Sequence, residues 1–246
     1  MKKILVLIPC YNEEDGLGAV LKSIPIQKLE NLGFETKVLV IDNNSTDKTA
    51  EVAEKWGAKV ILENKVGKGN AMKLGFESIP ENVDYVVMMD GDDTYKGSEI
   101  PRLIEPLESG FADVIVGSRL GGRMNDGSFK FQNRVVNWGY AFLVRQFYGA
   151  NITDVLSGFM AWKREALDGL RLHLETDGFA IEMEMITKMV KLNYSIFSVP
   201  ITYDVRQGES KISSLTDGLR ILKMFFANLN WSPKKKKRAL IRVGIF

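Results

Sequence analysis

The feature that most constrains this chain is a series of short apolar runs, at 4–8, 37–41, Lys59–Leu62, 85–89 and 114–116, most of them apolar at every position. A run without alternation has no polar face, so its strand must be covered on both sides. Helical patterns fill the intervals: a helix is expected from a start at 12–16 to about Leu29, another over 48–56, and a third from the NKVGKGN stretch (64–70) through Phe76. Strands alternating with helices predict an α/β fold, Rossmann-like, with a mainly parallel sheet flanked by helices. In such sheets ligands sit beyond the carboxyl ends of the strands. Here those ends carry PCYNEE (9–14), DNNSTD (42–47) and DGDDT (90–94).

The DGDDT segment supports two readings. Asp and Gly both favour turns, so Asp90, Asp92 and Asp93 fit a solvated turn around Gly91. Hard cations such as Mg²⁺ and Mn²⁺ take oxygen ligands, commonly one or two carboxylates plus substrate phosphates, so the same acids fit a metal and diphosphate site. No GxGxxG and no GxxxxGK[ST] is present, so neither glycine-rich phosphate fingerprint contributes.

With 246 residues, 45% of them hydrophobic, the chain is long enough for one sizeable core. Lys and Arg number 33 against 31 Asp and Glu, a net +2 that does not point to a nucleic-acid partner. The single cysteine, Cys10, excludes an internal disulfide and suits a reducing, cytosolic setting; it follows a buried strand and is expected to pack. The start resembles a signal peptide, but its apolar run stops at Pro9 and acids follow, so it reads as a first strand. No apolar stretch approaches the ~20 residues of a spanning helix.

Beyond Arg119 the alternation breaks down. Residues 121–129 read as a Gly-rich polar loop, Phe131–Tyr148 as a helix, 178–190 as a helix capped by Asp177, and 195–205 as strand-like around Pro200. A polar loop, RQGESKISS, spans 206–214. An apolar helix over 215–229 and a basic tail, KKKKR at 234–238, follow. Leu215, Leu219, Leu222, Phe225, Phe226 and Leu229 recur at near-helical spacing, which suits either a core helix or an amphipathic helix lying in a membrane interface beside its polybasic tail.

In order along the chain, PCYNEE, VLVIDNNSTDKT, KGNAMKLGF, MMDGDDTY, DVIVGSR, TDVLSGFMAWKREAL and RQGESK resemble the family 2 glycosyltransferases of the GT-A fold, and within them the dolichyl and polyprenyl phosphate sugar synthases. The resemblance implies a catalytic domain over 1–212, with a nucleotide-sugar half (1–120) and an acceptor half (121–212), followed by a membrane-associating segment (213–246). It implies a metal-dependent, inverting transfer of a hexose from a nucleotide sugar to dolichyl or polyprenyl phosphate, peripherally on the cytoplasmic membrane face. DGFAIEMEM (177–185) resembles the glucosyl-type synthases and favours a UDP-linked donor. By the same resemblance Pro9, Tyr11, Glu13 and Asp42 surround the nucleoside, Lys68 belongs to the nucleotide loop, and Asp90 and Asp92 place Mg²⁺ or Mn²⁺. Arg119, Arg134, Arg206, Ser210 and Lys211 contact the diphosphate or the acceptor phosphate, and Asp154 lines the reaction centre with Ser157. Relatives usually have Asp-Gly-Ser where this chain has Asp42-Asn43-Asn44-Ser45, and Gln where it has Thr94.

An acceptor phosphate is already an anion, so cations that hold two anionic groups together matter more than a strong base. If a base exists, Glu182 and Glu184 are the candidates. Glu184 stands one turn before Lys188 and is expected in an ion pair on a solvated face. Glu182 shares its face with Met185, Ile186 and Met189, where a carboxylate is expected to resist ionisation and to serve the site. His173 is expected at the surface. Transfer to a saccharide hydroxyl is the alternative enzyme reading, and a non-catalytic nucleotide-sugar-binding membrane protein the alternative outside catalysis. The last residues, 241–246, suit the opening of a longer membrane segment.

Overall fold

A computed structural model of the chain describes residues 1–208 and 214–233. Ser210, Lys211, the basic stretch 234–238 and residues 241–246 lie outside them. The strands are β1 (Lys2–Cys10), β2 (Phe34–Asp42), β3 (Lys59–Leu62), β4 (Tyr85–Met88), β5 (Val114–Met124), β6 (Met160–Lys163) and β7 (Ile196–Tyr203). The helices are α1 (Glu14–Ser23), α2 (Ile26–Asn31), α3 (Thr49–Trp56), α4 (Lys68–Glu77), α5 (Ile100–Glu108), α6 (Phe131–Tyr148), α7 (Arg164–Arg171), α8 (Ile181–Lys191) and α9 (Ser214–Leu229).

The described residues form one seven-stranded sheet in the order β3-β2-β1-β4-β6-β5-β7. β3, β2, β1 and β4 are parallel, while β6 runs antiparallel to both β4 and β5. This is the GT-A arrangement, mainly parallel and flanked by helices. The runs in β1, β2, β4 and β5 bury both faces, as an all-apolar strand requires, whereas β3 at the sheet edge leaves Lys59 and Leu62 exposed. Along β1, Leu5 and Leu7 join a core cluster shared with α4, α6, α7, α8 and α9, while Ile4, Val6 and Ile8 join a second one on the opposite face with α1 and α5.

Several boundaries differ from those the sequence predicts. The helix expected to run from 12–16 to Leu29 is two helices broken around Pro25, whose ring cannot donate the hydrogen bond that would continue the first. β5 does not stop at 116: it runs to Met124 through Gly121 and Gly122, taking up part of the expected Gly-rich loop. A Cβ on Gly122 would lie 1.9 Å from the Ile201 carbonyl oxygen, so that close strand approach requires glycine. The sequence patterns do not mark α5, β6 or α7. β6 is four residues long, and Pro101 and Pro106 obscure the helical pattern of α5.

Inside the second half, Trp162 of β6 is fully buried and meets Phe76 of α4 edge to face at 5.6 Å between ring centroids. α9 inserts Ile221 and Phe225 into the same core, and Tyr140 and Tyr148 of α6 donate hydrogen bonds to its Gly218 and Phe225 carbonyls. His173 is buried rather than at the surface, edge-on to Trp231 at 5.2 Å. Glu184 is also buried, not on a solvated face. Its partner is Lys188 as the spacing predicts, at 2.6 Å, and its carboxylate also accepts the backbone N–H groups of Glu175 and Thr176.

Candidate active site

Because β2, β1 and β4 are adjacent and parallel, their carboxyl ends converge on one edge of the sheet. Beyond each end the chain turns through a left-handed residue: Asn12 (φ 53°), Asn44 (φ 62°) and Asp93 (φ 62°). Asn and Asp tolerate that conformation better than other side chains, which accounts for amides and acids at these three places. The turns are tied together. Asn12 accepts the Thr46 N–H at 2.8 Å and donates its own N–H to Ser45 at 3.0 Å, and the Asn43 N–H donates to the Cys10 carbonyl at 2.8 Å. Cys10 is packed, and a Cβ on Gly91 would lie 2.7 Å from its sulfur, so Gly91 lets the acidic turn close on β1.

A cavity of about 890 Å³ opens over these ends. Pro9, Tyr11, Glu13, Lys68, Asp90, Asp92 and Arg206 all line it, which brings together seven residues singled out from the sequence. Lys68, at the start of α4, reaches both Asp90 and Glu182 at 2.7 Å. Burial would lower the pKa of its ammonium, but those two carboxylates outweigh burial and raise it, so Lys68 stays charged. Glu182 therefore faces a cation rather than an apolar wall, and it reaches the cavity through Lys68. Arg206 bridges Asp92 at 2.7 Å and Glu13 at 2.5 Å. The other Asp92 oxygen accepts the Thr94 hydroxyl at 2.6 Å. Burial and the neighbouring charge of Asp90 push the Asp92 carboxyl up, and Arg206 and Thr94 only partly offset them.

Behind the cavity lies a second charged unit. Asp154 is fully buried, and its two oxygens accept the Arg119 guanidinium at 2.8 and 2.9 Å, the Arg119 N–H at 3.0 Å and the Asn137 amide at 2.6 Å. Burial alone would raise the Asp154 pKa; the Arg119 charge and these hydrogen bonds reverse that and hold it below the ordinary carboxylate range. The Arg119 guanidinium also stands 4.7 Å from the Phe129 ring centroid and 5.2 Å from that of Tyr203. This unit fixes the 154–158 segment, whose Gly158 backs Asp90: a Cβ there would lie 2.1 Å from an Asp90 oxygen. Neither Arg119 nor Asp154 lines the cavity, and Arg134 is exposed on α6 away from it. Ser157 is buried in its own turn, and Asp42 is buried beneath the cavity floor, accepting the Ser45 N–H at 3.2 Å.

Residues not singled out from the sequence complete the arrangement. Asn43 holds the 63–67 loop, donating to the Glu63 and Lys65 carbonyls and accepting the Gly67 N–H at 2.6 Å. Asn137 does the same for the 154–156 turn. Asn137 stands out as a polar residue in a helical pattern and Asn43 is one of several polar residues after β2, but the partners of both lie in other segments of the chain. For a divalent cation, Asp90 and Asp92 offer hard oxygen donors from one strand end, and a cation there would relieve their mutual repulsion. No group of three His, Cys, Asp or Glu among the described residues is arranged to hold a metal ion, so substrate phosphates and water would complete such a shell. Thr94 is 1% exposed and its hydroxyl is committed to Asp92, which makes it a support for that acid.

The profile of glycosyl transferase family 2 matches residues 5–171. The glycosyltransferase AglJ of Haloferax volcanii is 34% identical over 87% of this chain and 68% of its own length. The undecaprenyl-phosphate mannosyltransferase of Micrococcus luteus is 30% identical over 86% of this chain and 88% of its own. Across the curated relatives compared, the chain spans between 53% and 90% of the relative's length. Among solved structures, glucosyl-3-phosphoglycerate synthase from Mycobacterium tuberculosis, in complex with Mn²⁺, UDP-glucose and phosphoglyceric acid, superposes with a TM-score of 0.72 over 95% of this chain and 81% of that one. At 22% identity, that likeness concerns the fold.

Proposed function

The chain belongs to glycosyl transferase family 2, and on that premise we propose that it transfers a hexose from a nucleotide sugar to a dolichyl or polyprenyl phosphate. The observation that carries this reading is the cavity itself, where two carboxylates and two cations, Asp90, Asp92, Lys68 and Arg206, face one space at the converged strand ends. An oxygen of the acceptor phosphate attacks the anomeric carbon, the new carbon–oxygen bond forms as the bond to the donor diphosphate breaks, and configuration inverts. The acceptor arrives as an anion, so no proton has to be removed, which agrees with a site whose buried acids are paired to cations. Lys68 and Arg206 hold the diphosphate and offset the charge that develops on it. Pro9, Tyr11 and Glu13 take the nucleoside end. Arg119 and Asp154 keep the turn behind Asp90 in place, and Ser210 and Lys211 are assigned to the phosphates by resemblance. Asp90 and Asp92 would hold Mg²⁺ or Mn²⁺, which supplies further charge neutralisation at the leaving diphosphate.

Peripheral binding at the cytoplasmic membrane face is part of the same proposal. Phe131, Val135, Trp138 and Phe142 recur along the exposed side of α6, and Leu215, Leu219 and Phe226 along that of α9. No described helix is long and apolar enough to cross a membrane. The test is turnover of purified protein with prenyl phosphate and a panel of UDP- and GDP-linked glucose and mannose, with Mn²⁺ or Mg²⁺ or with chelator. Lipid-linked hexose that disappears with chelator is expected, with UDP-glucose preferred. Absence of product from every donor overturns the acceptor assignment, preference for GDP-mannose overturns the donor, and undiminished turnover in chelator overturns the metal.

A further inference from the structure

The cavity continues past the charged centre. Beyond residues 176–180 its far wall is α9, through Thr216, Asp217, Arg220, Lys223, Met224 and Ala227. At 3.6 residues per turn these positions fall on one third of the α9 circumference. Ile221, Phe225 and Asn228, all buried, occupy a second third against the core. The last third carries Leu215, Leu219 and Phe226, exposed at 78%, 63% and 57%. The helix thus places an uncovered apolar stripe directly beside a wall that opens into the donor cavity and bears two cations.

We propose that this part of α9 is the acceptor site: Arg220 and Lys223 take the phosphate of a prenyl monophosphate, and the Leu215, Leu219 and Phe226 stripe takes the start of its chain. Charge complementarity and continuity with the donor cavity argue for this occupant. Arg220 is 74% exposed in its side chain, and its 3.3 Å contact with the buried Asp217 engages one guanidinium nitrogen and leaves the others open to the cavity. Planar guanidinium and a nearby ammonium suit a dianionic monoester. A sugar hydroxyl acceptor would need neither the cations nor the stripe. The carboxylates nearest this wall are Asp177, bound to Lys73, and Asp217, beside Arg220, while Glu13, Asp90 and Asp92 at the charged centre are paired with Arg206 and Lys68, so each has a basic partner of its own.

The proposal rests on the lipid-phosphate reading, and binding separates the two. Direct titration of the full chain with geranylgeranyl phosphate, in mild detergent, is compared for wild type, Arg220→Glu/Lys223→Glu, Leu219→Asp and Arg220→Lys/Lys223→Arg. The charge reversal is expected to weaken binding at least about tenfold, Leu219→Asp to weaken it several-fold, and the conservative pair to retain it. Affinity for UDP or GDP, whichever wild type binds, is expected to stay within about twofold, since that end of the cavity is built from β1, β2 and β4. Both cations are exposed, so circular dichroism should show the charge-reversal variant folded.

Undiminished prenyl-phosphate binding or turnover in the charge-reversal variant overturns the site while leaving the function reading intact. Binding that is lost in the variant, in a wild type that never transfers sugar to lipid phosphate, sinks the function reading and supports the site. A wild type that neither binds nor uses the probe sinks both. Equal competition by phosphatidylglycerol vesicles would make the site a general anionic-surface contact. A change in oligomeric state in Leu219→Asp, with prenyl-phosphate affinity intact, would make the stripe a contact between copies. Either result overturns the proposal.

Discussion

Glu184 and Lys188 show what a single buried ion pair contributes. Each is at most 1% exposed in its side chain, and Lys188 also donates to the His173 carbonyl at 2.7 Å. Removing the acid strands a buried ammonium, so Glu184→Gln is expected to destabilise the protein by about 3 kcal/mol in denaturant unfolding, and Glu184→Met with Lys188→Met to recover part of that loss. Asp154 gives a pH dependence of known sign. Its carboxyl is held below the ordinary range, so the unfolded chain takes up the proton first as pH falls. The stability it contributes is complete above about pH 4 and is lost as pH drops through its folded value. Unfolding midpoints measured from neutral to acid pH should show this fall in wild type and a shallower one in Asp154→Asn, which starts from a lower midpoint because Arg119 loses its partner. The i,i+4 spacing of Glu184 and Lys188 was legible in the sequence. Their burial was not, because the side of α8 that carries them is covered by residues 173–176, which helical periodicity within α8 cannot reveal.

At the scale of elements, the site depends on how closely backbone can approach backbone. α4 begins against residues 176 and 177: a Cβ on Gly69 would lie 2.1 Å from the Thr176 carbonyl oxygen, and backbone cannot swing aside as a side chain can. Gly69→Ala is therefore expected to push the start of α4, and Lys68 with it, away from Asp90 and Glu182. Donor affinity measured by titration should fall about tenfold or more, in line with the cost of a displacement near 1 Å in a charged site. Retained affinity would show that Lys68 does not position the donor. The KGNAMKLGF motif marks Lys68 in the sequence. That a loop about 100 residues later supplies its other support is a fact of packing alone.

For the whole molecule, the proposed membrane contact rests on the uncovered sides of α6 and α9. Both helices bury one side in the core and leave aromatic and aliphatic residues on another, with a basic stretch following α9 in the sequence. Trp138→Asp with Phe142→Asp is expected to reduce co-sedimentation with anionic lipid vesicles several-fold, because binding of such helices scales with buried apolar area. Turnover of a short, detergent-soluble prenyl phosphate should remain close to wild type, since neither residue lines the cavity. Unchanged sedimentation would remove α6 from the proposed membrane contact.

The sequence by itself determined the sheet and its acids. Apolar runs with no polar face had to become strands covered on both sides, and the acids and amides closing them had to fall at the carboxyl edge. Only the tertiary structure decided which charges meet. Lys68 and Glu182 are 114 positions apart in a chain whose local patterns extend over a turn or two, and nothing within either segment encodes the other. Arg119 lies within β5 and Arg206 just after β7, in motifs of similar promise. Packing of the 154–158 turn against Asp90 draws Arg119 behind the cavity, and the Glu13 and Asp92 carboxylates hold Arg206 within it. The same contrast separates the two glutamates on α8. Their spacing shows that they lie on different sides of the helix, and only the neighbours each side meets give one a cation at the candidate site and the other a cation in the core.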